Sequence, residues 1–127
     1  MKELEKKVAL IIGGTSGIGK ATANQLLEKG ATVHIVGRNV RKVDDAPNLI
    51  KHIVDISNES DVAELVRKID ALDNLDYLVN ASGIFAPKPF LEHTIKDYNS
   101  YLDLNRGFFF ITQSAAKKMK NTKGGSI

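Results

Sequence analysis

Gly13, Gly17 and Gly19 follow directly on the apolar run Val8-Ala9-Leu10-Ile11-Ile12, and they open a segment, Ile18 to Lys29, that has helical spacing. A buried strand, a glycine turn and a helix amino-terminus are the parts needed to seat a diphosphate. Backbone N–H groups point outward there, and the helix dipole favours negative charge. The spacing is G-x-x-x-G-x-G, one residue wider between the first two glycines than the common dinucleotide fingerprint. Thr15 and Ser16 add hydroxyl donors inside the turn. Three further clusters carry polar chemistry: Gly37-Arg38-Asn39, Asp55-Ile56 and Asn80-Ala81-Ser82-Gly83. In the first of these, a guanidinium suits bidentate contact with a phosphate. His34, His52 and His93 are isolated from one another in pattern and read as ordinary strand or loop residues, with no metal site.

The elements that must position these clusters alternate regularly. Val8–Ile12 reads as a central parallel strand buried on both faces. The helix after it places Ile18, Ala21, Thr22, Gln25, Leu26 and Lys29 at helical spacing, and Gly30 is its stop. Thr32–Val36 is a second strand, Val40 to Leu49 a loop or short helix interrupted by Pro47, and Lys51–Val54 a third strand. Ser57 is placed to cap a helix whose apolar stripe is Val62, Leu65, Val66 and Ile69. Tyr77–Val79 is a fourth strand. Thr94-Ile95-Lys96-Asp97 is a capping-box sequence that opens a helix to about Met119. Gly124–Ile127 reads as the turn into a fifth strand. Such alternation implies a parallel sheet wrapped by helices on both faces. Every polar cluster falls just after a strand, so all four are expected on one rim, where ligands of such sheets bind.

Composition narrows the function classes. The 127 residues make one domain at most, and 43% hydrophobic with 26% charged residues is ordinary for a water-facing globular chain. Net charge is +3, but the cations are scattered. Lys117, Lys118, Lys120 and Lys123 sit late in a helix, where they complement its dipole, so no nucleic-acid surface is expected. The absence of cysteine excludes disulfides and thiolate metal sites and fits a reducing, cytoplasmic setting. No apolar run approaches the ~18 residues of a membrane helix, and Met1–Glu5 is too charged for a secretory signal.

Taken together, these residues resemble the short-chain dehydrogenase/reductase family. The family carries T-G-x-x-x-G-I-G after its first strand, and this chain has Ile12-Gly13-Gly14-Thr15-Ser16-Gly17-Ile18-Gly19, with isoleucine in place of the threonine whose hydroxyl helps tie the turn to the fourth-strand region. The family's N-N-A-G after the fourth strand is matched, in altered form, by Asn80-Ala81-Ser82-Gly83. Asp55, with Ile56 beside it, matches the acid whose neighbourhood holds an adenine ring. Asn105 lies where the family has a helical asparagine that supports a proton relay, although a structural role beside Gly107 is an equal reading. The resemblance runs from about Lys6 to Ile127. It implies a Rossmann-type α/β domain over residues 1–127, truncated at the start of its fifth strand, with Gly13, Thr15, Ser16, Gly17, Ile18, Gly19, Arg38, Asp55, Ile56, Asn80, Ala81 and Gly83 on the cofactor and Asn105 in the catalytic set.

The implied chemistry is hydride transfer between a nicotinamide and a carbonyl or alcohol carbon of a small molecule. An acid at the end of the second strand would accept the ribose hydroxyls of NAD. This chain has Gly37 there and Arg38 next, which favours NADP(H) over NAD. The family's serine and its Y-x-x-x-K pair lie beyond residue 127, and Tyr77, Tyr98 and Tyr101 are followed four residues on by Ala81, Leu102 and Asn105. These residues alone are therefore expected to turn nothing over. With the family's strand order, ending after the fourth strand leaves Tyr77–Val79 as an open edge, an aggregation hazard. The helix near 95–119 is the expected surface of homo-oligomerisation.

Two other readings remain. Gly14 to Lys20 satisfies G-x-x-x-x-G-K, the opening of a P-loop, but Ala21 stands where a metal-holding serine or threonine is needed. The chain is also readable as a non-catalytic dinucleotide-binding module or sensor fragment.

Overall fold

Four strands, β1 (Val8–Ile12), β2 (Thr32–Gly37), β3 (Leu49–Ile53) and β4 (Tyr77–Asn80), pair in parallel in the order β3-β2-β1-β4. β1 is central and apolar throughout, and Ala9, Leu10, Ile11 and Ile12 are all buried. Its register sets Ile12 against Val36 of β2 on one side and Asn80 of β4 on the other, while Gly37 meets Ile53 of β3. The carboxyl ends of the four strands therefore come level at one rim. The computed structural model describes residues 2–84 and 86–127.

Alternation along the strands divides the core in two. Ala9, Ile11, Val33 and Ile35 face one layer with Ala23, Val40 and Val43. Leu10, Ile12, Val36 and Leu78 face the other, where Val62, Leu65 and Ile69 of one helix meet Leu104, Ile111, Ala115 and Met119 of a second. The helices are α1 (Gly17–Glu28) on the first face, and α2 (Glu59–Asp70) with α3 (Ile95–Lys120) on the other. Single 3₁₀ turns at Val40–Lys42 and Phe90–Glu92 lie in the connections.

Several expectations need correction. The buried face of α1 is rotated from the expected stripe. Ile18 is 80% exposed, and Gly19 and Ala23 form the buried contact, because the turn that feeds the helix can pack only against a residue without a side chain. β3 starts two residues earlier and ends one earlier than expected, at Leu49–Ile53. The cap of α2 is Asn58, whose side chain accepts from the Asp61 N–H. Ser57 is not free to cap, since its hydroxyl donates to Asp55 Oδ1 at 2.6 Å. The capping box of α3 forms as read, with Thr94 and Asp97 satisfying each other's backbone N–H groups.

The expected open edge of β4 is partly covered. The backbone N–H of Leu78 donates to the Ser126 carbonyl and the Ser126 N–H donates to Asp76, both at 2.9 Å, so the chain's last residues form a parallel bridge against Tyr77. Buried Asp76 anchors the opposite end of the sheet. Its Oδ2 accepts from the Val8 N–H and from Asn74 Nδ2, each at 2.8 Å.

Candidate dinucleotide cleft

The turn after β1 is built by contacts that exclude side chains. A Cβ at Gly19 would run into the Gly13 carbonyl oxygen, which fixes the start of α1 hard against the turn. The Ala81 N–H donates to the Ile12 carbonyl at 2.9 Å, continuing the β1–β4 ladder and joining the turn to the segment after β4.

α1 differs from the other two helices at its amino end. Ser16 occupies the cap position in extended conformation, but its side chain makes no capping bond, and the first turn holds no acid. α2 and α3 both have side-chain caps and acids in their first turns. The positive end of α1 is thus left to whatever occupies the space in front of it. That space is a cleft of about 490 Å³ along the rim. Gly17 opens onto it with φ +56° and no atom within 4 Å of where a Cβ would be, so the backbone itself forms the wall.

Of the residues singled out in the sequence, Gly13, Thr15, Ser16, Gly17, Ile18, Arg38, Asp55, Ile56, Ala81 and Gly83 line this one cleft. Gly19 lies behind the turn. Asn80 is exposed at the end of β4 and Asn105 is exposed on α3; neither lines the cleft, although Leu104 beside Asn105 does. Asn39 and Ser82 of the flagged clusters line it as well, and so do Lys42 and Ser57, which the motifs did not flag. Ser57 is read from the sequence as a helix cap and not as a cleft residue, since a motif names positions and not the side chains that brace them.

Asp55 is held in a local turn. Its Oδ1 accepts from the Ser57 hydroxyl and from the Ser57 N–H at 3.0 Å, and its own N–H donates to Asp61 Oδ2 at 2.8 Å. The Ser57 hydroxyl bond, with the positive charge of Arg38 as a smaller cause, keeps this carboxyl below its usual range, so it faces the cleft ionised. On the far wall, Gly107 of α3 approaches so closely that a Cβ would strike the Ile56 carbonyl oxygen. The loop that carries Asp55 and Ile56 therefore rests directly on α3. At the end of β2, a Cβ on Gly37 would lie 2.8 Å from Thr15 Cγ2. The turn after β1 and the end of β2 are packed in contact.

A second, apolar groove of about 390 Å³ separates α2 from α3, away from the rim. Of the residues lining it, Arg106 pairs with Glu59 at 3.3 Å, and the Ser114 hydroxyl donates to Asp70 Oδ1 at 3.2 Å. The histidines depart from expectation. His34 of β2 and His52 of β3 are neighbours, stacked with Nδ1 and Nε2 2.9 Å apart. No group of three or more metal-ligating side chains occurs among the described residues. Nor is any helix of the described residues long and apolar enough to cross a membrane.

A parallel sheet with helices on both faces and a glycine-walled cleft at its carboxyl rim defines a nucleotide-binding α/β fold of Rossmann type. The family model described as short chain dehydrogenase matches residues 7–127, and the chain belongs to that family. It is 34% identical over 110 residues to an uncharacterized oxidoreductase of Bacillus subtilis, a match that covers 81% of this chain and 42% of that protein. A short chain dehydrogenase from Leptospira borgpetersenii, solved with bound NAD+, superposes with a TM-score of 0.85 at 26% identity over 98% of this chain and 51% of its own. A 3-ketoacyl-(acyl-carrier-protein) reductase from Brucella melitensis, complexed with NADH, gives 0.81 at 29% identity over 94% of this chain and 52% of its own. The chain spans about half the length of these proteins.

Proposed function

We propose that residues 1–127 are the dinucleotide-binding domain of an oxidoreductase that exchanges a hydride between a nicotinamide cofactor and a small carbonyl or alcohol substrate, with NADP(H) preferred. The observation that carries this reading is the uncapped amino end of α1, which opens onto a cleft whose wall at Gly17 is bare backbone. There the N–H groups of the turn and the hydroxyls of Thr15 and Ser16 receive the diphosphate. Asp55 and Ile56 flank the adenine, Arg38 takes the phosphate on the adenosine ribose, and Ala81 and Gly83 back the nicotinamide end, with Asn80 and Gly19 holding the turns behind them. When bound, the nicotinamide supplies or accepts the hydride. Asn105 positions water for proton exchange at the substrate oxygen. The 127 residues contain no tyrosine with a lysine four places on, so they bind the cofactor without turning it over.

The absence of an acid at Gly37 and the presence of Arg38 support NADP(H). The two neighbours that carry NAD+ and NADH make NAD(H) the competing choice. The reading extends to a cytoplasmic enzyme that self-associates through α3, where Tyr98, Leu102, Phe109 and Phe110 leave apolar surface exposed. Titration by cofactor fluorescence decides the binding claim. Saturable binding of NADPH, tighter than that of NADH, is the expected result. Absence of binding by either cofactor overturns the function, and tighter NADH overturns the preference.

A further inference from the structure

Arg106 stands where three elements meet. Its Nε pairs with Glu59 of α2 at 3.3 Å, its Nη1 with Asp103 of α3 at 3.0 Å, and its Nη2 donates to the Ser57 carbonyl at 3.4 Å. The last of these bonds reaches the loop after β3. The next residue grips the same loop, since Gly107 lies against the Ile56 carbonyl, and α3 therefore contacts two successive carbonyls. The cleft side of the loop is held separately. Asp55 accepts from both the hydroxyl and the N–H of Ser57, and Asp61 of α2 accepts from the Asp55 N–H. Ser57 is thus bound through its N–H to the cleft side and through its carbonyl to α3. Ile56 lines both the cleft and the apolar groove between α2 and α3, so it forms the partition between them.

We propose that Arg106 is a positioning residue for the adenine end of the cleft: by tying the Ser57 carbonyl to α3, it sets how Asp55 and Ile56 face the nucleotide. The inference rests on the dinucleotide reading above. Arg106 does not line the cleft and acts through the loop. A guanidinium suits this task because its donors lie in a planar fork, so one side chain serves two carboxylates and a carbonyl together. The flanking carboxylates hold the plane of the fork and leave Nη2 aimed at the loop. An ammonium is a single point charge on a flexible stem and does not divide itself in this way.

The test uses the full chain and the displacement of whichever reduced cofactor, NADPH or NADH, binds more tightly. Adenosine monophosphate reads the adenine end, and pyrophosphate reads the turn after β1. Circular dichroism checks that each variant folds; the Arg106 side chain is 37% exposed. Arg106→Met keeps the stem and removes every bond of the fork. It is expected to weaken adenosine monophosphate about threefold, the size of one modest hydrogen bond, and to leave pyrophosphate unchanged. Arg106→Lys, the milder variant, keeps the charge beside Glu59 and Asp103 and should weaken adenosine monophosphate as well. Glu59→Gln breaks only the ion pair with α2 and should bind both ligands as wild type does. Equal losses for the two ligands, no loss, wild-type affinity in Arg106→Lys, or a Glu59→Gln effect as large as that of Arg106→Met would overturn the positioning role while dinucleotide binding stands. Failure of the wild type to bind either cofactor would instead remove the reading beneath it.

Discussion

Gly17 and Gly19 would respond to the same substitution in opposite ways. Gly17 sits at φ +56° in open space, so alanine there adds about 1 kcal/mol of backbone strain but projects a methyl into the cleft wall. Gly17→Ala is expected to lower the urea midpoint only by what that strain costs and to weaken dinucleotide binding markedly. Gly19→Ala drives a methyl into the Gly13 carbonyl, an overpacking cost of about 1–3 kcal/mol, and should lower the midpoint as well. The histidine pair makes a prediction about pH. Burial, then the charge of His34 and then that of Lys68, push His52 down to about 4, below the ordinary 6.5. Between those values the unfolded chain binds more protons than the folded one. The contribution to stability is therefore complete above 6.5 and lost as pH falls toward 4. His52→Phe should flatten the fall in melting temperature between pH 6.5 and 5; an unchanged slope would show that the pair does not govern it. This pair was illegible in the sequence because alternation assigns a strand residue to a face without giving its register against the next strand.

At the scale of elements, the amino ends of the three helices divide the labour. α2 and α3 close theirs with Asn58 and with the Thr94–Asp97 box, and α1 leaves its own unclosed. The caps were readable where the residue types stood free. Thr94 and Asp97 close their box although Asp97 also accepts from Lys88 at 2.7 Å, because a carboxylate has lone pairs for both. The one hydroxyl proton of Ser57 is instead claimed by Asp55, two residues before it, and the cap passes to Asn58. The rotation of α1 is illegible in the sequence for a related reason. A glycine can be the most tightly packed residue of a helix, as Gly19 is, and hydrophobicity counts give it no weight. Gly107 is a second case. Its closeness to the Ile56 carbonyl makes α3 a support for one wall of the cleft, so Gly107→Ala is expected to cost 2 kcal/mol or about that and to loosen adenine-side binding. Thermal unfolding and titration with adenosine monophosphate measure the two effects separately; a stability loss with unchanged nucleotide affinity would separate α3 from the cleft.

Across the whole molecule, the parallel sheet and the gathering of ten motif residues at one rim were legible because strand–helix alternation and post-strand clusters are properties of the chain read in sequence, whereas the order of the strands follows only from the family resemblance. The knot around Asp76 was not, since it joins β1, β4 and the last residues through contacts distant in sequence. Ser126 completes it, and Ser126→Pro removes the N–H that donates to Asp76. That variant should exchange the Leu78 amide faster and scatter more light on warming, because the β4 edge reopens. Unaltered exchange at Leu78 would show that the bridge is not what protects the edge. The contact between Thr15 and Gly37 reaches further than either residue. An acid introduced at position 37 to recruit the unphosphorylated cofactor would meet the threonine methyl before it met any ribose. A side chain at position 37 is therefore expected to need a smaller residue at 15, or a shifted threonine, before it can seat without disturbing the turn after β1.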